Sequence, residues 1–284
     1  MKHLTILLVL AGTAVPALAQ VNSLVHKNEK RRYIVYVPEA YGKEPQRPYP
    51  VVFNFHGGGM SMAEQMLYTQ MNRAAERHQF IVVYPAGLKQ DWNVGFGMPY
   101  REGSDDIGFT EALLAKLRQA YRVDPARVYA TGLSRGGFFA LRIGAELPHL
   151  FAAVAAVGAP MPEPVIEHHA ATGKVGVLLV HGTADQVVAY GGKPGAYLSA
   201  RESYRYWLGK NAIAGTAQEQ ALGTGVSRIE AGNGRESVAL LTIADGGHTW
   251  PGADPFNVGL PIGTTSRAFD ANEVIWQFLV KHRR

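Results

Sequence analysis

Short apolar runs alternate with helical stretches along most of this 284-residue chain. Seven runs are predicted to be buried parallel strands, because each is brief and mostly lacks polar alternation, as expected when both faces of a strand are covered. They are residues 33–37, 51–55, 80–84, 128–131, 151–157, 175–180 and 238–243. Apolar residues at helical spacing predict helices over 107–121, 135–146, 199–209 and 270–281. This alternation predicts an α/β fold, with a mostly parallel central sheet and helices on both faces.

The first 19 residues have the pattern of a cleavable export signal. Lys2 supplies the positive start, residues 4–15 form a short apolar run, and Ala17-Leu18-Ala19 is a small-residue cleavage site. The run is too short to span a membrane comfortably. We therefore expect residues 1–19 to be a signal peptide and residues 20–284 to be a single domain. The mature protein is expected to be secreted or periplasmic, with no membrane association after cleavage.

Composition excludes several classes of site. The chain has no cysteine, so disulfides, thiol chemistry and Cys-ligated metals are excluded. Its formal charge is +5, but the basic residues are scattered and not interleaved with aromatics, so no nucleic-acid partner is expected. His168-His169 resembles a metal-binding pair, yet adjacent side chains diverge and no carboxylate cluster accompanies them. We expect no metal there. The pattern leaves the oligomeric state open.

Gly132-Leu133-Ser134-Arg135-Gly136 lies between a predicted strand and a predicted helix. A G-x-S-x-G turn in this context holds its serine in a strained backbone conformation, with the hydroxyl exposed above the sheet. Bulky side chains two residues to either side would collide, which accounts for the two glycines. The N-terminus of the following helix favours developing negative charge. Ser134 is therefore the predicted nucleophile.

A nucleophilic serine needs a base and an acid that orients the base. In the chain order Ser, Asp, His, the candidates are Asp185, after strand 175–180, and His248, after strand 238–243. Because the carboxyl ends of parallel strands meet at one edge of a sheet, the three side chains should converge there. Asp245 competes as the acid, but it follows the same strand as His248 and suits a turn better. His181 precedes the acid, and a structural hydrogen bond suits it better.

His56-Gly57-Gly58-Gly59 follows strand 51–55. A glycine-rich loop in this place supplies one backbone N–H to an oxyanion hole, and the residue after the nucleophile supplies the other. We expect Gly58, with Gly57 or Gly59 as alternatives, and Arg135 to be these donors. A phosphate-binding loop would need a Lys-Ser/Thr ending, which is absent. His56 is predicted to hold the loop in shape.

Two tryptophans are candidates for contact with a substrate. Trp250 lies two residues after His248, and Trp92 lies in the glycine-rich stretch 87–108. Buried tryptophans are common in any core, so packing is the alternative role for both. Trp276, in the predicted last helix, is expected to pack.

Together these residues resemble the polyhydroxybutyrate depolymerase and feruloyl esterase family of α/β-hydrolases. The matching stretches are 55–59 (FHGGG), 104–109 (SDDIGF), 128–137 (VYATGLSRGG), 181–185 (HGTAD) and 246–252 (GGHTWPG). The resemblance implies the α/β-hydrolase fold, export, and an ester substrate such as a short polyester, a feruloylated or acetylated plant polysaccharide, or a small model ester. Many members carry cysteines, one of them at the place of Gly58, and this chain departs from that pattern. The departure puts the shape of the substrate pocket in doubt.

The predicted strands ending at 157 and starting at 175 are close in sequence, at a place where α/β-hydrolases usually insert a large cap domain. We therefore expect no large cap, an open cleft, and at most a modest insertion within 186–237. No polymer-binding module is expected, so attack on solid polymer should be inefficient. The predicted reaction is ester hydrolysis through Ser134, His248 and Asp185, without a cofactor, on a small-molecule or polymeric ester. A serine peptidase on the same fold and a non-catalytic binding protein are the alternatives.

Overall fold

The computed structural model describes residues 19–215, 217–255 and 261–284. The predicted signal peptide, residues 1–19, lies outside the described residues except for Ala19. Within the described ranges, no helix has both the length and the apolar character needed to cross a membrane.

The described residues include ten strands, eight α-helices and one short 3-10 helix, Leu88–Gln90. The strands are β1 (Gln20–His26), β2 (Glu29–Tyr36), β3 (Tyr49–Phe55), β4 (Ile81–Pro85), β5 (Val123–Leu133), β6 (Ala153–Val157), β7 (Gly176–Gly182), β8 (Gln218–Gly223), β9 (Val226–Gly232) and β10 (Ser237–Ile243). The helices are α1 (Ala40–Lys43), α2 (Met62–Thr69), α3 (Met71–His78), α4 (Asp106–Ala120), α5 (Arg135–Glu146), α6 (Glu163–His168), α7 (Ala200–Lys210) and α8 (Ala271–Leu279). All seven predicted strands and all four predicted helices are present, with small shifts of their ends.

All ten strands form one sheet in the order β1-β2-β4-β3-β5-β6-β7-β10-β9-β8. The six central strands, from β4 to β10, are parallel to one another. Strand β2 pairs antiparallel with both β1 and β4, so the prediction that residues 33–37 form a parallel strand is wrong. The two-residue turn accounts for the pairing of β2 with β1, because such a turn can join only antiparallel strands. Between β2 and β3 the chain forms only the four-residue helix α1, so the chain re-enters the sheet at the end that β2 has just left.

Strands β1, β8 and β9 are absent from the sequence prediction. Their residues are mostly half-buried or exposed, and Val21 and Val25 of β1 remain 57% and 72% exposed. Strands at the edges of a sheet lack the continuous apolar run that marks the buried centre. Their pairing, and not their composition, makes them strands.

Side chains of the central strands alternate between two cores, one on each face of the sheet. On β3, Val51, Phe53 and Phe55 belong to the core that includes residues of helices α4, α5 and α7, whereas Val52 belongs to the core that includes residues of α2, α3 and α8. Both faces are therefore covered by helices, as predicted. The carboxyl ends of the central strands are left to form one edge lined by loops.

No large cap lies over this edge in the described part of the chain. The link between β6 and β7 contains only the short helix α6. The predicted insertion within 186–237 contains α7 and the hairpin β8–β9, which extends the sheet at its far side.

A buried ion pair shapes the loop between β4 and α4. Arg31 is 2% exposed, its Nη2 lies 2.6 Å from Asp106 Oδ1, and its guanidinium carbon lies 3.9 Å from the centre of the Phe109 ring. The other oxygen of Asp106 accepts hydrogen bonds from the backbone N–H of Asn93 (2.8 Å) and the Ser104 hydroxyl (2.6 Å). This carboxylate therefore ties β2 and two parts of the loop to the start of α4.

We predict that Asp106→Ala lowers the free energy of unfolding by about 3–5 kcal/mol, because it leaves the Arg31 charge buried without its partner. Urea denaturation followed by circular dichroism measures the change. Glu39→Ala is the control, since its ion pair with Lys43 (2.7 Å) lies on the surface and should contribute nothing measurable. A loss no greater than that of the control would show that the buried pair is not a stabilising contact.

Candidate active site

Ser134 occupies the sharp turn between β5 and α5. Its φ of 54° and ψ of −121° place it in a sparsely populated backbone region, which marks a strained and often functional position. A Cβ atom built on Gly132 would lie 2.5 Å from the Gly136 carbonyl, and one built on Gly136 would lie 2.1 Å from the Phe55 carbonyl oxygen. No residue other than glycine fits at either place. The turn thus brings the start of α5 against the end of β3.

Asp185 and His248 lie on neighbouring loops at the same edge of the sheet, after β7 and β10. His248 Nδ1 lies 2.7 Å from Asp185 Oδ2, and both residues are buried. The second oxygen, Oδ1, accepts hydrogen bonds from the amides of Val187 (2.9 Å) and Val188 (2.8 Å). Burial alone would raise the pKa of Asp185, but hydrogen bonds from His181, His248 and the backbone outweigh it and hold the pKa below its usual range. Asp185 is therefore a carboxylate that stays ionised while buried.

One short segment, Val157–Gly158, adjoins both the serine turn and the histidine. The Ser134 amide donates to the Val157 carbonyl over 2.9 Å. Gly158 lies directly behind the His248 ring, since a Cβ atom built on it would be 3.0 Å from Nδ1 and 3.1 Å from Cε1. The predicted Ser134, Asp185 and His248 are thus brought to adjoining loops at the predicted edge.

The two competing residues take other positions. Asp245 is exposed in a left-handed turn with φ of 55°, and its amide donates to the Thr183 hydroxyl. His181 is buried, with its Nε2 2.9 Å from the Val188 carbonyl oxygen and 3.3 Å from Asp185 Oδ2. The loop contact expected of His181 is present, and the second contact with the acid was not foreseen from the sequence.

The glycine loop after β3 lies against the serine turn. A Cβ atom on Gly57 would be 3.8 Å from Ser134 Cβ, and one on Gly58 would be 3.6 Å from Arg135 Cβ. The Gly59 amide donates to the Gln90 carbonyl over 2.9 Å, so this N–H is already used. Ser134 gives α5 no side-chain cap, and the Arg135 amide belongs to the first turn, where N–H groups have no partner within the helix. The geometry favours Gly58 over Gly59, together with Arg135, as donors to an oxyanion.

His56 joins the glycine loop to the loop after β4. Its Nδ1 lies 2.8 Å from the Gly57 carbonyl oxygen, and its Nε2 accepts a hydrogen bond from the Gly87 amide over 2.9 Å. The ring is therefore neutral, with its proton on Nδ1, and burial lowers its pKa further. Both ring nitrogens are used in holding the loop, which is the structural role expected of this residue.

The structure corrects the prediction that Trp92 and Trp250 contact a substrate, because both are fully buried. Trp92 stacks on Phe139 with 5.0 Å between ring centres, and its Nε1 donates to the His56 carbonyl. Trp250 lies in the core on the other face of the sheet, where its amide donates to the Tyr68 hydroxyl. Both tryptophans are near the predicted site residues in sequence, but this proximity does not show whether a side chain lines a pocket or is buried in the core behind it. Trp276 packs on Phe80, as expected.

The Arg135 side chain is a feature that the sequence prediction missed. Its Nε lies 2.9 Å from Asp91 Oδ1, and its Nη1 donates to the Phe96 carbonyl over 3.0 Å. The guanidinium carbon also lies 4.7 Å from the centre of the half-buried Phe96 ring. Phe96 in turn contacts Phe138 and Tyr197. The Arg135 side chain thus holds the loop 91–97 beside Ser134, and its partners Asp91 and Phe96 are distant from it in sequence.

The histidines of the His168-His169 pair have separate neighbours. The His168 ring packs edge-on against Tyr100, and His169 Nε2 lies 2.7 Å from the Tyr206 hydroxyl. Among the described residues, no group of three or more His, Asp or Glu side chains is arranged to hold a metal ion.

Comparison with known proteins places this chain in a family. The family model described as "Putative esterase" matches residues 25–250. The protein named "Putative esterase NocK", from Nocardia uniformis subsp. tsuyamanensis, is 30% identical over 256 residues, which cover 81% of this chain and 74% of that protein. Feruloyl esterase B of Piromyces equi is 28% identical over 77% of this chain, and the match spans only 42% of that longer protein.

A solved structure, that of an acetyl xylan esterase from Aspergillus awamori, superposes with a TM-score of 0.63 at 15% sequence identity. The match covers 81% of this chain and 94% of that one. At this identity the likeness shows the fold alone, which is the α/β-hydrolase fold predicted above. The family match covers most of the chain, including the serine turn, the loop of Asp185 and His248. The chain therefore belongs to this esterase family, and a feruloyl esterase is among its relatives.

Proposed function

We propose that this esterase is an exported serine carboxylic-ester hydrolase in which Ser134, His248 and Asp185 act as a catalytic triad. The observation that carries the proposal is the shared segment Val157–Gly158. It holds the strained serine turn on one side and the ring of His248, already bonded to a buried carboxylate, on the other.

In the proposed reaction, Ser134 Oγ attacks the ester carbonyl carbon while His248 Nε2 takes the hydroxyl proton. The carbonyl oxygen becomes negative and accepts hydrogen bonds from the amides of Gly58 and Arg135, each worth about 10²–10³ in rate. The protonated His248 then gives its proton to the leaving alcohol as the acyl-enzyme forms. Water attacks the acyl-enzyme by the same relay, which releases the acid and restores Ser134.

Asp185 would act on His248 and not on the ester. Its hydrogen bond to Nδ1 selects the tautomer in which Nε2 is free to accept a proton, and its charge stabilises the imidazolium that forms. No step of this reaction needs a cofactor.

For the substrate, we propose feruloyl or acetyl esters of polysaccharides, or short polyhydroxyalkanoate-type esters. The name of one relative, feruloyl esterase B, supports the first class. The absence of a large cap over the loop edge, in the described part of the chain, supports access by a bulky alcohol portion. Export by the signal peptide of residues 1–19 is part of the same proposal, since such polymers lie outside the cell.

We predict that Ser134→Ala lowers kcat for ester hydrolysis by roughly 10⁴- to 10⁶-fold while the fold is retained. The assay compares parent and variant on p-nitrophenyl acetate and butyrate, methyl ferulate, acetylated xylan, a hydroxybutyrate oligomer and a peptide amide. The preferred ester identifies the substrate class. Preference for the amide would favour a peptidase, and equal rates for parent and variant would exclude Ser134 as the nucleophile.

We predict that Asp185→Asn lowers kcat by roughly 10³- to 10⁴-fold, because the amide would not hold His248 in the required tautomer.

In the parent, the lowered pKa of Asp185 keeps the carboxylate charged across the assayed range. Its contribution to stability is therefore present above the unfolded carboxyl pKa of about 3.9 and is lost as the pH falls below that value. For the parent enzyme, a profile of kcat/KM from pH 4 to 9 should show a single decrease on the acid side, which reports protonation of the catalytic base. A second carboxyl-like step within this range would contradict the assignment.

We predict that Gly158→Ala lowers kcat by about 10- to 100-fold. The added methyl group would press on the His248 ring, and the residue would keep a φ of 59° that disfavours alanine. Gly209→Ala in α7 is the matched control, because its Cβ would have no other atom within 4 Å. Steady-state kinetics and circular dichroism test both variants. Parental kcat in a folded Gly158→Ala variant would argue against His248 as the base.

A further inference from the structure

A second histidine contacts the carboxylate of Asp185. His181 lies near the end of β7 and is 2% exposed. Its Nε2 lies 2.9 Å from the Val188 carbonyl oxygen and 3.3 Å from Asp185 Oδ2. A carbonyl oxygen can only accept a hydrogen bond, so Nε2 must carry the proton. The Nε2–H is therefore hydrogen-bonded to the carbonyl and also lies in close contact with the carboxylate oxygen.

With this contact, four donors surround the Asp185 carboxylate. His248 Nδ1 and His181 Nε2 face Oδ2, and the amides of Val187 and Val188 face Oδ1. Three of these groups donate hydrogen bonds, and the His181 N–H adds a close electrostatic contact with Oδ2. Oδ2 therefore contacts two imidazoles, one of which is the proposed base.

The other nitrogen of His181 has no compensating contact. Nδ1 is buried and has no hydrogen-bond partner among the described residues. A buried polar atom without a partner is unfavourable and needs an explanation. An apolar side chain of similar size would avoid it, so the contribution of His181 lies in its Nε2–H and not in filling space.

We propose that His181 is a positioning residue, which holds Asp185 Oδ2 in line with His248. The dipole of its N–H also offsets part of the electrostatic effect of the carboxylate on His248. This role depends on the proposed function. Burial would raise the pKa of Asp185, and the hydrogen bond from His181 is the largest effect that opposes it. The groups facing His181 are Asp185, His248 beyond it, and Tyr190, whose ring centre is 5.5 Å away and whose hydroxyl is bonded to Thr242. Without His181, the full charge of Asp185 would act on His248 and favour its protonated form.

The test compares His181→Leu, which removes the donor, with His181→Gln, whose amide can restore an N–H near the same place. The ring resonances of His248 are followed by NMR over pH, which requires no turnover. In His181→Leu the midpoint of this titration should move to higher pH by about half a unit or more. The acid limb of kcat/KM should move with it, and kcat should fall about 10- to 100-fold with little change in KM. His181→Gln should restore most of the parental midpoint.

Tyr190→Phe is the control, because it changes a neighbour of His181 without touching Asp185, and its midpoint should equal that of the parent. An unchanged midpoint in folded His181→Leu would overturn the proposal, whatever its effect on stability. If His181→Leu does not fold, His181→Phe, which keeps a ring but no donor, takes its place. Failure of the esterase mechanism would appear separately, as activity that survives Ser134→Ala.

Discussion

The close approach of helix α5 to the end of strand β3 is the constraint on which the site depends. Gly136 leaves no room for a side chain against the Phe55 carbonyl, and Ser134 takes a strained conformation to make the turn. Strain of this kind costs about 1–3 kcal/mol and persists only where surrounding packing enforces it. Here the enforcement comes from α5, whose residues 136–145 are all buried. The same approach sets Gly58 beside Arg135, so one packing contact positions both Ser134 and the glycine loop next to it.

The loop between β4 and α4 contacts both the glycine loop and Arg135 and so supports their positions. It is fixed at one end by the buried pair of Arg31 and Asp106, and near its middle by Arg135, which binds Asp91 and the Phe96 carbonyl. His56 and Gly59 attach the glycine loop to it through the Gly87 amide and the Gln90 carbonyl. Removing Asp106 therefore tests more than a local contact, because the loop it anchors bears on the donors of the proposed oxyanion hole.

The sequence predicts most of the central architecture, and the reason is physical. Strands β3 to β7 and β10 are buried on both faces, so their apolar runs identify them without knowledge of their neighbours. The order of Ser134, Asp185 and His248 along such strands places them at one edge. The direction of β2, the edge strands and the burial of Trp92 and Trp250 depend on contacts between distant segments. No local sequence pattern determines these three features. The ion pairs of Asp91 with Arg135 and of Asp106 with Arg31 also join residues that are distant in sequence.

Two imidazoles share one carboxylate oxygen, and this sharing limits what each can do. The Val188 carbonyl obliges His181 to keep its proton on Nε2, so His181 serves as a donor at all times. Its Nδ1 has no acceptor among the described residues, and a second proton there would be buried without a hydrogen bond. His248 has Asp185 as the partner of its Nδ1, so this hydrogen bond remains when the His248 ring becomes positive. Asp185 Oδ2 thus accepts its hydrogen bond from the histidine nearest the serine turn, while the contact with the other histidine helps to fix the position of that oxygen.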